Sequence, residues 1–148
     1  MPEFETVDAM EIDAPAQVLF DTILDYPHIH EWYPKYRVEV VGGGEVKEGA
    51  TLQHTLTPAP VMKTRFTRVI DRIEAPKRIE ERYTGGALLG KGRWEFEPVG
   101  DARTKVSFWC NVRSNTLMMH LGFLLTGEKG HNDVYQELLT ALREKVRA

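Results

Sequence analysis

Cysteine is almost absent from this 148-residue sequence, because Cys110 is the single one. One thiol cannot form a disulfide within the chain, and it cannot supply the several cysteines of a structural zinc site. A strong charge of one sign is also lacking, since 19 basic and 22 acidic residues leave a net charge of −3. No block of lysine or arginine stands out. We therefore expect neither nucleic acid nor an anionic membrane to be the main partner.

The sequence also lacks a hydrophobic run long enough to span a bilayer. The most apolar stretch, Leu117 to Leu125, has nine residues and includes His120. A membrane-spanning helix needs about 20 apolar residues, so we expect no integral membrane segment. The N-terminal segment is acidic and mixed, unlike a secretory signal. We expect a cytoplasmic protein in which residues 1–148 form one domain.

Periodicity predicts a strand and two short helices in the first quarter of the chain. Residues 4–13 alternate as a strand does. Residues 16–24 then repeat apolar side chains at the spacing of an amphipathic helix, with Asp13 as a candidate N-cap. Pro27 ends this helix, and the stretch up to Pro34 leaves room only for a short helical turn.

From residue 37 to residue 113, six strand-like segments alternate with short turn segments. The short links exclude parallel pairing, because a parallel pair needs a long crossover. We therefore predict an antiparallel meander, with Val106, Phe108 and Cys110 on the buried face of its last strand. An amphipathic helix closes the chain, and we predict a break before it near Gly127–Gly130, because glycine weakens a helix.

Strand alternation places two ionisable side chains on the face that we predict to be buried. His54 shares the parity of the leucines beside it, and Glu81 shares the parity of Tyr83. A buried carboxylate needs a cation, water or a proton, and a buried imidazole can act as a general acid or base. His54, Glu81 and Tyr83 are therefore the candidate catalytic residues. For His54 the alternative is an interior histidine with a purely structural role.

The strand between His54 and Glu81 carries Arg65 and Arg68, and either could complete a polar row. Phe66 and Ile70 favour one inward face of this strand, whereas Val69 and Ile73 favour the other, and a β-bulge would reconcile them. The pattern therefore leaves open which arginine faces inward. Such a row would provide the acid–base pair and the electrophilic group that enolate chemistry requires. A register slip of one residue would place the whole row outside.

No metal and no cofactor is predicted from the sequence. His28 and His30 are two residues apart, so they do not share a helical face, and no further group of ligands completes a site around them.

The order of the predicted elements resembles the START-like helix-grip superfamily, also called SRPBCC, and within it the polyketide cyclase/dehydrase and lipid-transport branch. The segments that carry the resemblance are EIDAPAQVLFDTILDYPHIHEWYP, DRIEAPKRIEERYTGG, GKGRWEFEPVGDARTKVSF and the C-terminal amphipathic helix. The resemblance implies an α+β helix-grip fold. In it, a curved antiparallel sheet of about seven strands wraps around a long C-terminal helix, with two short helices between strands 1 and 2. It also implies a cavity for a small apolar ligand.

Sequence and resemblance together predict a carrier or sensor that binds a small hydrophobic or aromatic, lipid- or polyketide-like molecule. One alternative is a cyclase, dehydratase or hydrolase that acts on such a ligand by acid–base catalysis. The other is an interaction module with a filled core. Leu117–Leu125 could be a lid, core or interface, and a homodimer is left open. The predicted cavity-lining residues are His54, Leu56, Phe66, Glu81, Tyr83, Trp94, Phe108, Cys110, Met118, Leu121 and Leu138.

Overall fold

Seven strands form one antiparallel sheet in the computed structural model of this chain, which describes residues 3–59, 62–117 and 129–147. The strands are β1 (Glu3–Ile12), β2 (Tyr36–Val40), β3 (Thr51–Ala59), β4 (Met62–Glu74), β5 (Arg78–Gly86), β6 (Leu88–Pro98) and β7 (Thr104–Ser114). Their order across the sheet is β1-β7-β6-β5-β4-β3-β2. Strands β2 to β7 are therefore a meander, as predicted, and β1 pairs with β7 at its far side.

Two helical segments connect β1 to β2, namely α1 (Ala16–Leu24) and a 3-10 helix (Tyr26–Glu31). The prediction that Asp13 caps α1 is wrong. Pro15 occupies the N-cap position, and no side chain caps this helix end. Asp13 lies two residues before the cap, and its carboxylate instead accepts a hydrogen bond from Arg103 Nε at 2.8 Å.

The C-terminal helix, α2 (Lys129–Arg147), packs its apolar stripe against the sheet. Its buried side chains over residues 133–147 are Tyr135, Leu138, Leu139 and Leu142. None of the described helices has the length and apolar character that crossing a membrane requires. The Leu117–Leu125 segment beyond its first residue, and the first half of the predicted break, lie outside the described residues.

Strand β4 changes its parity through irregular pairing with β5, as the apolar pattern predicts. The register of the pair shifts at residues 67–68 and again at residues 70–72. A bulge adds one residue to one strand and so exchanges the faces of the residues that follow. Between the two shifts, Arg68 lies on the buried face, whereas Arg65 is exposed.

The inner face of the sheet packs against α1 and α2 around one core. One part of this core, which we call the apolar end, consists of Ile12, Phe20, Phe96 and Val106. Phe20 of α1 meets Phe96 of β6 edge to face, with ring centroids 5.5 Å apart. All four side chains are buried, and none carries a polar atom. The sheet, the two short helical segments and the long terminal helix together form the predicted helix-grip arrangement.

Candidate functional site

Arg68 is the centre of a buried polar group that we call the arginine cluster: Tyr26, Tyr36, His54, Arg68 and Glu81. Arg68 is 0% exposed. Its Nε donates a hydrogen bond to His54 Nε2 at 3.2 Å, and its Nη2 donates to the Tyr36 oxygen at 2.6 Å. Its Nη1 lies 3.3 Å from Glu81 Oε2, which is ion-pair distance. One guanidinium thus contacts a histidine, a tyrosine and a carboxylate, which its planar fork of donors permits.

Strand alternation and register bring these side chains together. In β3, β4 and β5, His54, Arg68 and Glu81 each have the parity of buried apolar neighbours, so all three point to the inner face. Arg68 is paired with Tyr83 across β4 and β5. The predicted inward orientation of His54, Glu81 and Tyr83 agrees with the structure, and Arg68 is the arginine that joins them.

Both ring nitrogens of His54 are engaged by neighbouring groups. Nε2 faces Arg68 Nε at 3.2 Å, and Nδ1 lies 2.5 Å from the Tyr36 oxygen and 3.2 Å from Arg68 Nη2. Burial and the nearby Arg68 charge lower the pKa of His54 well below its usual value, so the ring is neutral at physiological pH. Neither nitrogen has a lone pair available to a substrate.

The Tyr36 hydroxyl lies between Arg68 and His54. Its oxygen accepts a hydrogen bond from Arg68 Nη2 and is also within hydrogen-bond distance of His54 Nδ1. Burial is the main cause that raises the pKa of Tyr36, and the Arg68 charge opposes it. The phenol therefore stays protonated.

Glu81 is the cluster residue with an unused acceptor. Its Oε2 accepts a hydrogen bond from the Tyr26 hydroxyl at 2.8 Å, and Trp94 Nε1 donates to the Tyr26 oxygen at 3.1 Å. The other carboxylate oxygen, Oε1, is buried without a hydrogen-bond partner. Arg68 Nη1 also lacks a hydrogen bond, because its contact with Glu81 Oε2 has ion-pair distance but not hydrogen-bond geometry. Burial raises the pKa of Glu81, while Arg68 and the Tyr26 hydrogen bond oppose the increase.

Aromatic rings surround the guanidinium. Its carbon lies 5.1 Å from the ring centroid of Tyr83, 5.4 Å from that of Phe66 and 5.6 Å from that of Phe108. Phe108 in turn stacks on Tyr135 of α2, with centroids 4.4 Å apart. Ring faces stabilise a desolvated cation, and they also suit contact with a planar ligand.

The structure places the predicted lining residues in three groups. Those in or beside the arginine cluster are His54, Phe66, Glu81, Tyr83, Trp94 and Phe108. Cys110 and Leu138 are buried in the same core, whereas Leu56 is only half-buried. Burial raises the pKa of the Cys110 thiol to about 11, which disfavours a nucleophilic role. Met118 and Leu121 lie outside the described residues.

Sequence reasoning missed three tyrosines that the fold brings to this site: Tyr26, Tyr36 and Tyr135. They come from the 3-10 helix, from the first position of β2 and from α2. A usable signal exists for two of them, since Tyr26 and Tyr135 each lie three residues from a buried apolar residue of an amphipathic helix. A buried tyrosine hydroxyl needs a hydrogen-bond partner, so such positions predict a polar interior.

A surface groove of about 790 Å³ lies between α2 and the chain segment that leads into Tyr36. Glu137 of α2 contacts the opposite side of this groove. It accepts a hydrogen bond from the Tyr33 hydroxyl at 3.0 Å and forms an ion pair with Lys35 Nζ at 3.3 Å. In residues 3–59, 62–117 and 129–147, no three histidine, cysteine or acidic side chains are arranged to hold a metal ion.

Residues 3–147 match the family described as polyketide cyclase / dehydrase and lipid transport. The chain belongs to this family. The match covers the sheet, both connecting helical segments and α2, so the whole described fold is that of the SRPBCC group. No curated protein sequence is significantly similar to this chain.

Solved structures share this fold at low sequence identity. A START superfamily protein from Mycobacterium smegmatis is 14% identical, with a TM-score of 0.76 over 97% of each chain. Zhui aromatase/cyclase from Streptomyces sp. R1128 is 14% identical, with a TM-score of 0.72 over 99% of this chain and 98% of that one. Norcoclaurine synthase from Thalictrum flavum, in complex with dopamine and hydroxybenzaldehyde, is 11% identical, with a TM-score of 0.70 over 98% and 87%. These likenesses show the fold alone.

Proposed function

We propose that this protein is a carrier or sensor that binds a small aromatic molecule with a hydroxyl group at the arginine cluster. The observation that carries the proposal is the pair of unused groups, Glu81 Oε1 and Arg68 Nη1, in the buried interior. An unpaired buried polar group costs about 1–3 kcal/mol. A ligand hydroxyl can use both groups, because it can donate its proton to Oε1 and accept from Nη1.

The surroundings favour an aromatic ligand. The rings of Phe66, Tyr83 and Phe108 lie against the guanidinium and offer faces and edges to a second planar molecule. Membership of a family that includes lipid transport agrees with a hydrophobic ligand. A solved neighbour with the same fold holds dopamine and hydroxybenzaldehyde, which are hydroxylated aromatics.

Carriage or sensing fits the state of His54 better than catalysis by that residue does. A histidine that acts as a general base needs a free nitrogen lone pair, and both nitrogens of His54 are engaged by Arg68 and Tyr36. His54 instead contacts both Arg68 and Tyr36 and so orients the two side chains.

A second candidate function is an intramolecular aldol cyclisation, which the unpaired oxygen of Glu81 and the protonated phenol of Tyr36 favour. Glu81 Oε1 would remove a proton from a carbon next to a carbonyl group, and that carbon would form a bond to a second carbonyl carbon. The resulting alkoxide would take the Tyr36 proton, and solvent would return the proton from Glu81 to Tyr36. Burial raises the pKa of Glu81, which makes the carboxylate a stronger base.

Calorimetric titration with 2-naphthol and 2-methoxynaphthalene tests the binding proposal. The methyl ether cannot donate to Glu81 Oε1, so we expect 2-naphthol to bind about tenfold more tightly. In Glu81→Gln, an amide NH₂ replaces Oε1, and the preference for the hydroxyl should disappear. Glu80→Gln is the matched control, because Glu80 is the preceding residue of β5 and lies near Arg72 outside the cluster.

Three results would contradict the proposal: no binding of either compound, equal affinity of the wild-type protein for both, or the same loss of preference in Glu80→Gln and Glu81→Gln. Native mass spectrometry of freshly purified protein would complement the titration, since a carrier is expected to retain a small molecule from its host.

Deuterium exchange separates carriage from catalysis. The methyl protons of 2-acetylnaphthalene exchange slowly in neutral D₂O, and proton NMR follows their loss. Catalysis predicts that the wild-type protein accelerates this exchange and that both Glu81→Gln and Tyr36→Phe remove the acceleration. Carriage predicts binding of the ketone with exchange at the rate of buffer alone.

A further inference from the structure

A second buried carboxylate, Asp8, lies on the inner face of the sheet apart from the arginine cluster. It is 3% exposed and has the parity of Ile12, which is also buried. Gln136 Nε2 of α2 donates a hydrogen bond to Asp8 Oδ1 at 3.1 Å. The other oxygen, Oδ2, is buried and has no hydrogen-bond partner. Asp8 therefore repeats the feature that marks Glu81, a carboxylate with one engaged and one unused oxygen.

The register of the sheet gives the distance between the two carboxylates. Thr6, Cys110, Gly92 and Glu81 are paired in one row across β1, β7, β6 and β5. Three strand spacings separate the ends of this row, about 14 Å in total. Asp8 lies two residues further along β1, about 7 Å from Thr6. The backbone separation is thus roughly 16 Å, and the side chains shorten the gap because both project from the inner face.

Aromatic surface lies between the two carboxylates. Asp8 is directly opposite Phe108 in the β1–β7 pairing, and Phe108 stacks on Tyr135. Gly92 lies in the same row and has no side chain. The Phe108 ring packs closely over it, since a Cβ at this position would come within 2.9 Å of the ring. Phe108 thus lies opposite Asp8, and its ring centroid is 5.6 Å from the Arg68 guanidinium carbon. A ligand that contacts this ring would have Glu81 towards one end and Asp8 towards the other.

We propose that Asp8 is a second polar subsite of the interior ligand site, where Oδ2 accepts a hydrogen bond from a hydroxyl at the far end of an aromatic ligand. The inference rests on the proposed function and narrows its ligand class to elongated aromatic molecules with a hydrogen-bond donor at each end. Two linked rings with terminal hydroxyls have a length of this order. Burial raises the pKa of Asp8, and the hydrogen bond from Gln136 opposes the increase.

Titration with three biphenyls tests the inference. The probes are 4-phenylphenol, 4,4′-dihydroxybiphenyl and 4-hydroxy-4′-methoxybiphenyl. We expect the wild-type protein to bind the dihydroxy compound about tenfold more tightly than the methoxy compound, because the ether cannot donate to Oδ2. Asp8→Asn keeps the oxygen that accepts from Gln136 and places an NH₂ at the position of Oδ2. The preference should therefore be abolished, while the affinity for 4-phenylphenol stays unchanged.

Asp101→Asn, an isosteric change at an exposed turn, is the matched control and should keep the preference. Thermal unfolding of both variants verifies that they fold. Equal affinity of the wild-type protein for the dihydroxy and methoxy compounds would overturn the Asp8 subsite and leave the proposed function standing if 4-phenylphenol binds. Persistence of the preference in Asp8→Asn would overturn the subsite as well. Failure of all three probes to bind would contradict the proposed function itself, and the subsite with it.

Discussion

The apolar end and the arginine cluster are equally buried parts of one sheet face, yet their chemistry is opposite. At the apolar end, Phe20 and Phe96 exclude water and have no polar atom to satisfy. In the cluster, Arg68 and Glu81 are charged, and two of their atoms lack a hydrogen bond. Burial of apolar side chains stabilises a fold. A buried ion pair often contributes no more stability than apolar side chains of the same size would. The proposed function accounts for this difference, because a site that binds a ligand needs polar groups that stability alone does not require.

The largest expected effect comes from breaking the buried pair on one side only. Arg68→Met leaves Glu81 as an uncompensated buried carboxylate, so we expect the free energy of unfolding at pH 7 to fall by about 3–5 kcal/mol. Phe20→Ala at the apolar end should lower it by a similar amount, about 3–5 kcal/mol, through loss of packing. Urea denaturation followed by circular dichroism measures both.

A second substitution distinguishes the two regions despite their similar losses. Arg68→Met combined with Glu81→Met removes both charges and should recover most of the stability, since apolar side chains of similar volume can replace a buried pair. A double variant that is no more stable than Arg68→Met would show that the arginine cluster, like the apolar end, stabilises the fold through packing. That result would contradict the contrast between the two regions.

A smaller effect is expected from the titration of His54. Its folded-state pKa is lowered by burial and by Arg68, whereas the unfolded chain titrates at the ordinary value near 6.5. The neutral ring therefore contributes stability above about pH 6.5, and this contribution is lost as the pH falls from there towards the folded-state pKa. The loss is at most about 1.4 kcal/mol per pH unit.

Urea denaturation between pH 7 and pH 5 measures this slope. His54→Gln should remove the contribution of His54, and Phe20→Ala should keep it, because the apolar end has no titrating group. Equal slopes in the wild-type protein and His54→Gln would show that the histidine is not held neutral.

The smallest effect is expected at an exposed ion pair on the same two strands. Arg82 Nε of β5 donates to Asp71 of β4 at 2.8 Å, but the Arg82 side chain is 51% exposed. Exposed pairs contribute little, so Arg82→Met should change the free energy of unfolding by less than about 1 kcal/mol, and less still in high salt. A loss comparable to that of Arg68→Met would show that burial does not distinguish the two arginines.

Strand alternation is enough to predict part of the cluster. The inward orientation of His54 and Glu81 follows from a period of two, because His54 pairs regularly with β2 and Glu81 pairs regularly with β6. The same rule cannot decide between Arg65 and Arg68. Two register shifts in β4 and β5 depend on both strands, and only the paired sheet reveals their positions.

The tyrosines of the site are harder to predict for a different reason. Tyr26 and Tyr36 come from the segments that connect β1 to β3, and Tyr135 comes from the far end of the chain. Local patterns show that such residues are buried but not which buried groups they meet. The contact between Tyr26 and Glu81 joins residues 55 positions apart, so only the tertiary fold creates it.

A crystal structure of the protein with 2-naphthol would show whether a ligand hydroxyl reaches the arginine cluster. We predict that the naphthalene rings lie against Phe66, Tyr83 or Phe108 and that the hydroxyl oxygen lies within hydrogen-bond distance of both Glu81 Oε1 and Arg68 Nη1. A naphthol bound only at the molecular surface, with the arginine cluster unchanged and closed, would contradict this prediction.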